Sequence, residues 1–528
     1  MEFDTVLFWI VCLSSASALV RLLANLRNAD PGWIVVFVLI LAVTGAGGWW
    51  NSKPAVYAGG ALWATLVLVP ALLSRVCLRY AFQQRYRAAR RLAGLIVWLH
   101  PSGVWRSQPK ILRALELADT GEINSAIGIL NRLQDAEKPV ADTAAAHAFR
   151  LANQWEQCIA WLDNKGADPV TKPHLIPIFL RASGETGDLR RLVNCFNRCE
   201  KQIARLEPAL QRHLCRLILF AFCGRRGPVE RLIEGPLETM ADSAKDFWLA
   251  TTDLAAGRHD EGLRRLSDLE QHANPVIRSA IERRRSHPLP NAEQTLTAEE
   301  NEIVARADQE HAHEERFASR PSLFSRQSIG CQLFIVLNIL AFLAEMKLGG
   351  STDLTVLFRL GGLAPETVRN GQWWRLVAAN FLHFGALHLT MNMLGLWALG
   401  PLVESSLGFL RFTFVYLLSG IGAMGIVLTW LLITGRDELL VGASACVMGL
   451  VGSTGAILWR GWQQQKARIA GRRLISVLFI VAMQTLFDWL IPQVSMMAHL
   501  SGVFIGFGIT LLVNRRSANT TEVPARGA

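Results

Sequence analysis

The distribution of apolar residues divides the chain into three parts. Residues 1–78 and 328–513 carry long apolar runs, whereas the residues between them do not. A run of about 20 predominantly apolar residues is long enough to cross a bilayer as a helix. The pattern therefore predicts membrane-spanning helices at both ends of the chain and a water-exposed segment in the middle.

The first part contains three apolar runs, and Arg21 interrupts the end of the first. A secretory signal peptide begins with a basic segment, but this chain begins with Glu2 and Asp4. We therefore expect three retained spans and no cleavage. Their predicted ranges are 5–20, 33–50 and 54–73.

The last part contains six apolar runs, which predict a six-span helical bundle. The ranges are 329–348, 384–403, 410–433, 439–458, 474–492 and 496–513. No stretch of the chain shows the alternation that is typical of strands. The predicted fold is therefore all-α, with a polytopic membrane bundle at the C-terminal side.

The middle part, residues 79–287, repeats a small turn residue followed by an apolar helix. The repeat starts lie 30 to 40 residues apart, close to the 34-residue period of tetratricopeptide-type solenoids. This part resembles such a repeat, which implies a soluble α-solenoid-like domain that binds a protein partner. The starts are Gly121, Asn153, Gly187, Gly227 and Gly257.

Two further segments are polar. Residues 288–327 are predicted to form a linker or a surface helix, and His311 and His313 within this segment are assigned to a solvated face rather than to a metal site. Residues 514–528 are predicted to be a disordered tail.

Composition supports the membrane assignment and sets the orientation. Of the 528 residues 51% are hydrophobic and only 18% are charged, which excludes a purely soluble enzyme. The net charge of +11 comes partly from basic clusters at 75–91 and 466–473, and such clusters are typical of cytoplasmic loops. We therefore expect an external N-terminus, a cytoplasmic repeat domain and C-terminus, and no nucleic-acid binding.

The cysteines do not predict a metal or disulfide site. There are nine, scattered along the chain without a CxxC pair. We expect no metal and no cofactor.

The first candidate for chemistry is Ser444 at the start of the fourth core span. Gly442 permits a tight turn, and Ser444 then stands near a helix N-terminus, where free N–H groups favour a developing oxyanion. Small residues in membrane helices are also common packing surfaces. Both interpretations remain open for Ser444 from this motif alone.

The second candidate is His499 in the last span. His499, Gly502 and Gly506 share one helical face, so the imidazole projects from a surface that can approach another helix. A general base must lie about 3 Å from the group it deprotonates. The alternative is a histidine that only hydrogen-bonds a neighbouring helix.

His388 and Asn392 form the third candidate, at the start of the second span. They lie four residues apart and offer two donors toward an oxyanion. Either could instead join two helices. His383, nearer the loop, is interpreted as structural.

Residues 328–513 resemble the rhomboid intramembrane serine proteases. The motifs that carry the resemblance are Trp374-Arg375, His388-x-x-x-Asn392, Gly442-x-Ser444, and Ala498-His499 with Gly502 and Gly506; Glu404 and Gly408 add to it. The resemblance implies a Ser444–His499 dyad without a third acid. It also implies an oxyanion hole of His388, Asn392 and the Ser444 amide, and a first loop shaped by Trp374 and Arg375.

Two positions depart from the family pattern. Ala445 stands where a glycine is usual, and Met448 stands where an aromatic residue commonly stacks on the histidine. Asp488 lies eleven residues before His499, which suggests a triad, but it is interpreted as structural because the family needs only a dyad.

The expected function is hydrolysis of peptide bonds in or near transmembrane segments of other membrane proteins. The expected setting is a bacterial inner membrane, where the lipid bilayer and a cytoplasmic protein are further partners. A catalytically silent client-binding relative and a membrane-anchored scaffold are the alternatives.

Overall fold

A computed structural model describes residues 3–23, 31–99, 103–136, 138–164, 169–206, 208–318, 328–490 and 495–514. Within these residues the chain is helical, and the one extended pairing is an antiparallel bridge between Leu363 and Leu440. This confirms the predicted all-α class. The chain divides into two compact units, residues 1–308 and 309–528.

The first unit begins with three helices that are long and apolar enough to span a membrane. They are α1 (Phe3–Leu23), α2 (Pro31–Trp49), and α3 (Lys53–Trp63) continued by α4 (Val69–Phe82) through a π-helical turn at 64–68. Helices α2 and α3 approach closely, because a Cβ atom added to Gly47 would lie 2.8 Å from the Val56 nitrogen. The third helix extends nine residues beyond its predicted end.

Helix pairs make up most of the chain that follows, and its last helix, α19, continues past residue 308 into the second unit. In five places a helix is followed after a tight turn by a second helix, in the pairs α6–α7, α8–α9, α10–α11, α13–α14 and α15–α16. The helices are α5 (Tyr86–Leu99), α6 (Gly103–Asp119), α7 (Ile123–Arg132), α8 (Lys138–Leu151), α9 (Trp155–Asn164), α10 (Ile176–Glu185), α11 (Leu189–Arg198), α12 (Glu200–Ile203), α13 (Ala209–Phe222), α14 (Arg226–Glu234), α15 (Asp242–Ala255), α16 (His259–Glu270), α17 (Pro275–Ser286), α18 (Ala292–Thr295) and α19 (Ala298–Ala318).

The turns between paired helices share one backbone feature, a residue with positive φ. Their spacing, 32 to 37 residues, is more regular than the sequence pattern indicates. The fourth turn residue is Gly224 rather than the predicted Gly227, which lies inside α14. Gly227 precedes Pro228 in the first turn of that helix, where proline is well accepted. The turn residues are Gly121, Asn153, Gly187, Gly224 and Gly257.

The second unit contains the six long helices that the sequence predicts, with three short helices in the first loop. Helix α26 begins five residues after its predicted start, because Leu440 pairs with Leu363 and Gly442 adopts a φ of 131°. The helices are α20 (Ile329–Lys347), α21 (Leu354–Leu360), α22 (Pro365–Arg369), α23 (Arg375–Ala378), α24 (Ala386–Leu407), α25 (Phe409–Thr434), α26 (Ser444–Gln465), α27 (Arg468–Leu490) and α28 (Met496–Val513).

Among the described residues, eight helices meet the length and hydropathy expected of a membrane span. Five of the six long helices of the second unit are among them, and α26 is not. Every residue of α26 from 445 to 458 is buried. Because this helix faces protein on all sides, it contains glycine, serine and threonine where a lipid-facing helix carries larger apolar residues.

The predicted polar segment at 288–327 contains helices α18 and α19, but the assignment of a solvated face is wrong for His311, which is fully buried. The end of α19 packs within the second unit. The Phe317 ring occupies the space where a Cβ of Gly461 would lie, and the Phe317 carbonyl accepts a hydrogen bond from Arg473 Nη1 at 2.8 Å. Residues 319–327, and 515–528 of the predicted tail, lie outside the described residues.

Candidate active site

Ser444 is the first residue of α26, and the turn before it is tightly packed. The Gly442 N–H donates to the Ala379 carbonyl at 2.8 Å. A Cβ atom added to Gly442 would lie 2.7 Å from His388 Cε1 and 3.7 Å from Ser444 Oγ. The His388 ring therefore lies against the turn that presents Ser444, and no larger residue fits at position 442.

The N-terminus of α26 is available for an anionic group. Its N-cap residue is Ala443, which supplies no side-chain hydrogen bond to the first turn. The first N–H groups of a helix lack intrahelical partners and carry a partial positive charge. Ser444 thus stands at the positive end of a helix, where a negative charge is favoured.

A glycine seam brings α28 against α26. A Cβ on Gly502 would overlap the Ala445 carbonyl oxygen, and a Cβ on Gly506 would overlap the Gly449 carbonyl oxygen. Because Gly502 contacts the residue directly after Ser444, His499 lies one helical turn from that contact. The two predicted reactive residues therefore lie on facing turns of neighbouring helices.

The His499 side chain has an acidic partner, Asp488. His499 is buried, and its Nδ1 atom lies 2.8 Å from Asp488 Oδ2 near the end of α27. Asp488 is also buried, and its Oδ1 accepts from Gln484 Nε2 at 2.8 Å. The structural assignment of Asp488 stays a prediction, because this hydrogen bond fits a structural role and a positioning role alike. An ionisable residue inside an apolar span is a functional candidate by default.

Asn392 carries an unsatisfied donor. It is buried on α24, and its Nδ2 atom has no hydrogen-bond partner among the described residues. A buried amide donor without a partner costs free energy, and a catalytic role is one of several explanations for such a group. The role of Asn392 as an oxyanion donor stays a prediction.

His388 packs beside a second histidine. The rings of His383 and His388 meet edge to face, with centroids 5.2 Å apart. His383 is fully buried, and its backbone N–H donates to Glu345 Oε1 at 2.8 Å. His383 therefore packs directly against His388, the ring that lies next to the Ser444 turn.

Arg375 organises the first loop from within. Its Nη1 donates to the carbonyls of Phe358 at 2.6 Å and Gly362 at 2.8 Å, and its Nε donates to Gln372. The guanidinium also stacks on Trp374, which is 53% exposed. Arg375 therefore holds this loop together through its hydrogen bonds, and Trp374 covers the guanidinium on the side that is exposed.

Glu404, Ala445 and Met448 are all buried inside the second unit. Glu404 accepts from the backbone N–H groups of Gly330 at 2.7 Å and Cys331 at 2.8 Å, so it caps the start of α20. Ala445 is fully buried at the glycine seam, and Met448 is buried one turn after Ser444. In the part of the chain that the structure describes, no group of three or more metal-ligating side chains converges.

The fold and the site define a class: a helical membrane bundle with a serine at a helix N-terminus and a histidine on the facing helix. Comparisons with known proteins agree, because residues 370–516 match the model of the Rhomboid domain. The putative rhomboid protease YdcA of Bacillus subtilis is 34% identical over 147 residues, which are 28% of this chain and 69% of the relative. The chain belongs to the rhomboid family.

Two other relatives match at similar identity. The rhomboid protease GluP of Bacillus subtilis is 31% identical over 33% of each chain. RHOMBOID-like protein 6, mitochondrial, of Arabidopsis thaliana is 35% identical over 33% of this chain and 56% of the relative. The chain spans 42 to 63% of the length of this protein and of RHOMBOID-like proteins 5 and 4. Together with the apolar helices, these matches identify an integral multi-pass membrane protein.

Proposed function

We propose that this protein is an intramembrane serine protease that cleaves other membrane proteins in or near their transmembrane segments. The observation that carries the proposal is the position of Ser444 at an uncapped helix N-terminus, with His388 against its turn and His499 on the facing helix. Stable helices hide their peptide bonds, so the substrate is a transmembrane segment that unwinds easily.

The chemistry follows from these positions. Ser444 Oγ attacks the carbonyl carbon while His499 takes the hydroxyl proton, and the imidazolium returns that proton to the leaving amine. The unpartnered Asn392 amide, the His388 ring and the Ser444 N–H stabilise the oxyanion. A water molecule then attacks the acyl carbon while His499 takes its proton. The imidazolium returns this proton to Ser444 Oγ as the ester bond breaks.

The decisive experiment compares wild type with Ser444→Ala in detergent or liposomes. We expect wild type to react with a fluorophosphonate probe and to cleave a model transmembrane substrate. Ser444→Ala and His499→Ala should lose both activities, with cleavage reduced by at least ~10⁴-fold. Ser501→Ala, two residues after His499, is the matched control and should keep both. A wild-type protein that binds the substrate without labelling or cleavage would instead support the client-binding alternative.

Asn392→Ala tests the oxyanion donor separately. One principal donor accounts for roughly 10²- to 10³-fold in kcat, and because three donors share the charge here we expect a loss of about 10- to 100-fold. KM should change little. An unchanged kcat would remove Asn392 from the proposed oxyanion hole.

We also propose that the helix pairs of residues 79–287 lie in the cytoplasm of a bacterial cell and recruit a protein partner. The basic cluster at 75–91 supports this orientation. An engineered cysteine near Gly257 should be inaccessible to an impermeant reagent in intact cells. Labelling from outside would contradict the orientation.

A further inference from the structure

Asp488 stands out because a carboxylate inside an apolar helix is costly. Helix α27 is one of the helices apolar enough to span a membrane, and Asp488 lies two residues before its last residue, Leu490. Insertion of an ionisable side chain into such a helix is unfavourable. The side chain is nevertheless only 3% exposed, so partners within the protein must offset this cost.

Both oxygens of this carboxylate are engaged, and each has a different partner. Oδ2 lies 2.8 Å from His499 Nδ1, and Oδ1 accepts from Gln484 Nε2 at 2.8 Å. Gln484 precedes Asp488 by one helical turn and therefore fixes the orientation of the carboxylate. This leaves Oδ2 directed at the imidazole.

A proton on His499 Nδ1 satisfies this contact, because an ionised carboxylate only accepts hydrogen bonds. The Nε2 atom then carries the lone pair that a general base needs. The chain also has Met448 rather than an aromatic ring one turn after Ser444. Orientation of the base by a carboxylate can therefore replace orientation by ring stacking.

We propose that Asp488 is a positioning residue for the base, so that the site works as a Ser444–His499–Asp488 triad. This inference rests on the proposed proteolytic function. As the Ser444 Oγ–carbon bond forms, the carbonyl electron pair moves to oxygen and the hydroxyl proton moves to His499 Nε2. Asp488 remains ionised and stabilises the imidazolium through Nδ1–H. The proton then leaves with the amine when the carbon–nitrogen bond breaks.

The competing explanation is a purely structural tie between helices. Only Ala470, Leu474 and Asp488 of α27 are buried, so the bond to His499 also anchors a sparsely packed helix. A structural tie affects stability and substrate affinity, whereas a positioning role affects kcat. The test must therefore separate these quantities.

The experiment uses two isosteric pairs in the full-length protein: Asp488 against Asp488→Asn, and Asp488→Glu against Asp488→Gln. Asparagine can donate to Nδ1 and would favour the tautomer in which Nε2 is protonated and cannot act as a base. We expect Asp488→Asn to lower kcat by roughly 10²- to 10⁴-fold, with KM and the thermal midpoint nearly unchanged. Asp488→Glu should be at least 10-fold more active than Asp488→Gln.

Thr485→Ala, on the same helix as Asp488, is the control and should match wild type. If Asp488→Asn does not fold, the Glu and Gln variants decide the question, because they differ only in charge. Equal kcat values within each folded pair, in a wild-type enzyme that labels at Ser444 and cleaves, would overturn the triad alone. A wild type that neither labels nor cleaves would instead refute the proposed function and the triad with it.

Discussion

The helix pairs of the first unit and the glycine seam of the second both bring helices into close contact, but they use side chains of opposite size. The helix pairs bury large side chains, including Trp155, Phe220 and Phe222. The seam between α26 and α28 removes side chains instead, at Gly449, Gly502 and Gly506.

The difference reflects the surroundings of each region. In water, burial of apolar area drives helices together, so large residues give the most stabilisation. In lipid the exposed helix face is already in an apolar environment, and close backbone approach supplies the attraction. Glycine accordingly has two roles in this chain. It forms left-handed turns between the helix pairs, as at Gly187, and it permits close helix contact in the seam.

The largest expected effect is the loss of a buried aromatic residue in the first unit. Trp155 is 1% exposed, and the Arg181 guanidinium stacks on its ring. Trp155→Ala should destabilise the helix pairs by about 3–5 kcal/mol, through lost burial and the cavity that remains. Denaturant unfolding followed by far-UV circular dichroism measures this. Trp98→Ala, at a position 80% exposed, is the control and should cost under 1 kcal/mol.

The glycine seam should be destabilised when a larger side chain is added to it. Gly506→Val places a side chain on the Gly449 backbone, which cannot rotate away, so we expect a loss of about 3 kcal/mol or more. Proteolytic activity should fall with it, because the same contact positions α28. Gly508→Val, where nothing lies within 4 Å, is the matched control on the same helix. Equal thermal midpoints for the two variants would show that the seam tolerates side chains.

The helix pairs should also lose stability at acid pH. Burial lowers the pKa of His147 on α8 to about 3, with a smaller contribution from Arg150. The unfolded chain binds this proton near pH 6.5 and the folded chain does not, so stability falls as the pH decreases from about 6.5 toward 3. The loss is at most about 1.4 kcal/mol per pH unit. Urea titrations at pH 7 and 5.5 should show it, and His147→Gln should reduce it.

The smallest effect is expected at a turn between paired helices. Gly187 has a φ of +79°, and a Cβ there would meet Pro290 only at an ordinary 3.5 Å. Gly187→Ala should therefore cost about 1 kcal/mol from backbone conformation alone. Gly128→Ala, in α7 with open space around it, should be neutral or slightly stabilising. A larger loss at Gly187 than at Gly506 would reverse the comparison between the two regions.

Apolar run length was sufficient to predict the long helices, because crossing a bilayer is a local requirement. The start of α26 was missed by five residues, since the Leu363–Leu440 bridge joins positions far apart in sequence. His311 was wrongly predicted to be exposed for a similar reason. A polar segment is typical of a solvent-exposed surface, and its burial depends on packing partners that are distant in sequence. The contact between Asp488 and His499 depends on two adjacent helices facing each other, which periodicity within one helix does not encode. The tetratricopeptide resemblance stays a prediction.

The cap that Glu404 places on α20 has a consequence for synthesis. Its carboxylate receives the N–H groups of Gly330 and Cys331, the former 74 positions earlier in the chain. At translation rates of about 5–20 residues per second, roughly 4 to 15 s separate the two ends of this contact. Throughout that interval the start of α20 must rely on water, lipid headgroups or the insertion machinery for its hydrogen bonds. A ribosome stalled before codon 404 should therefore leave α20 with a fraying, exchange-labile first turn, and release of the stall should protect it.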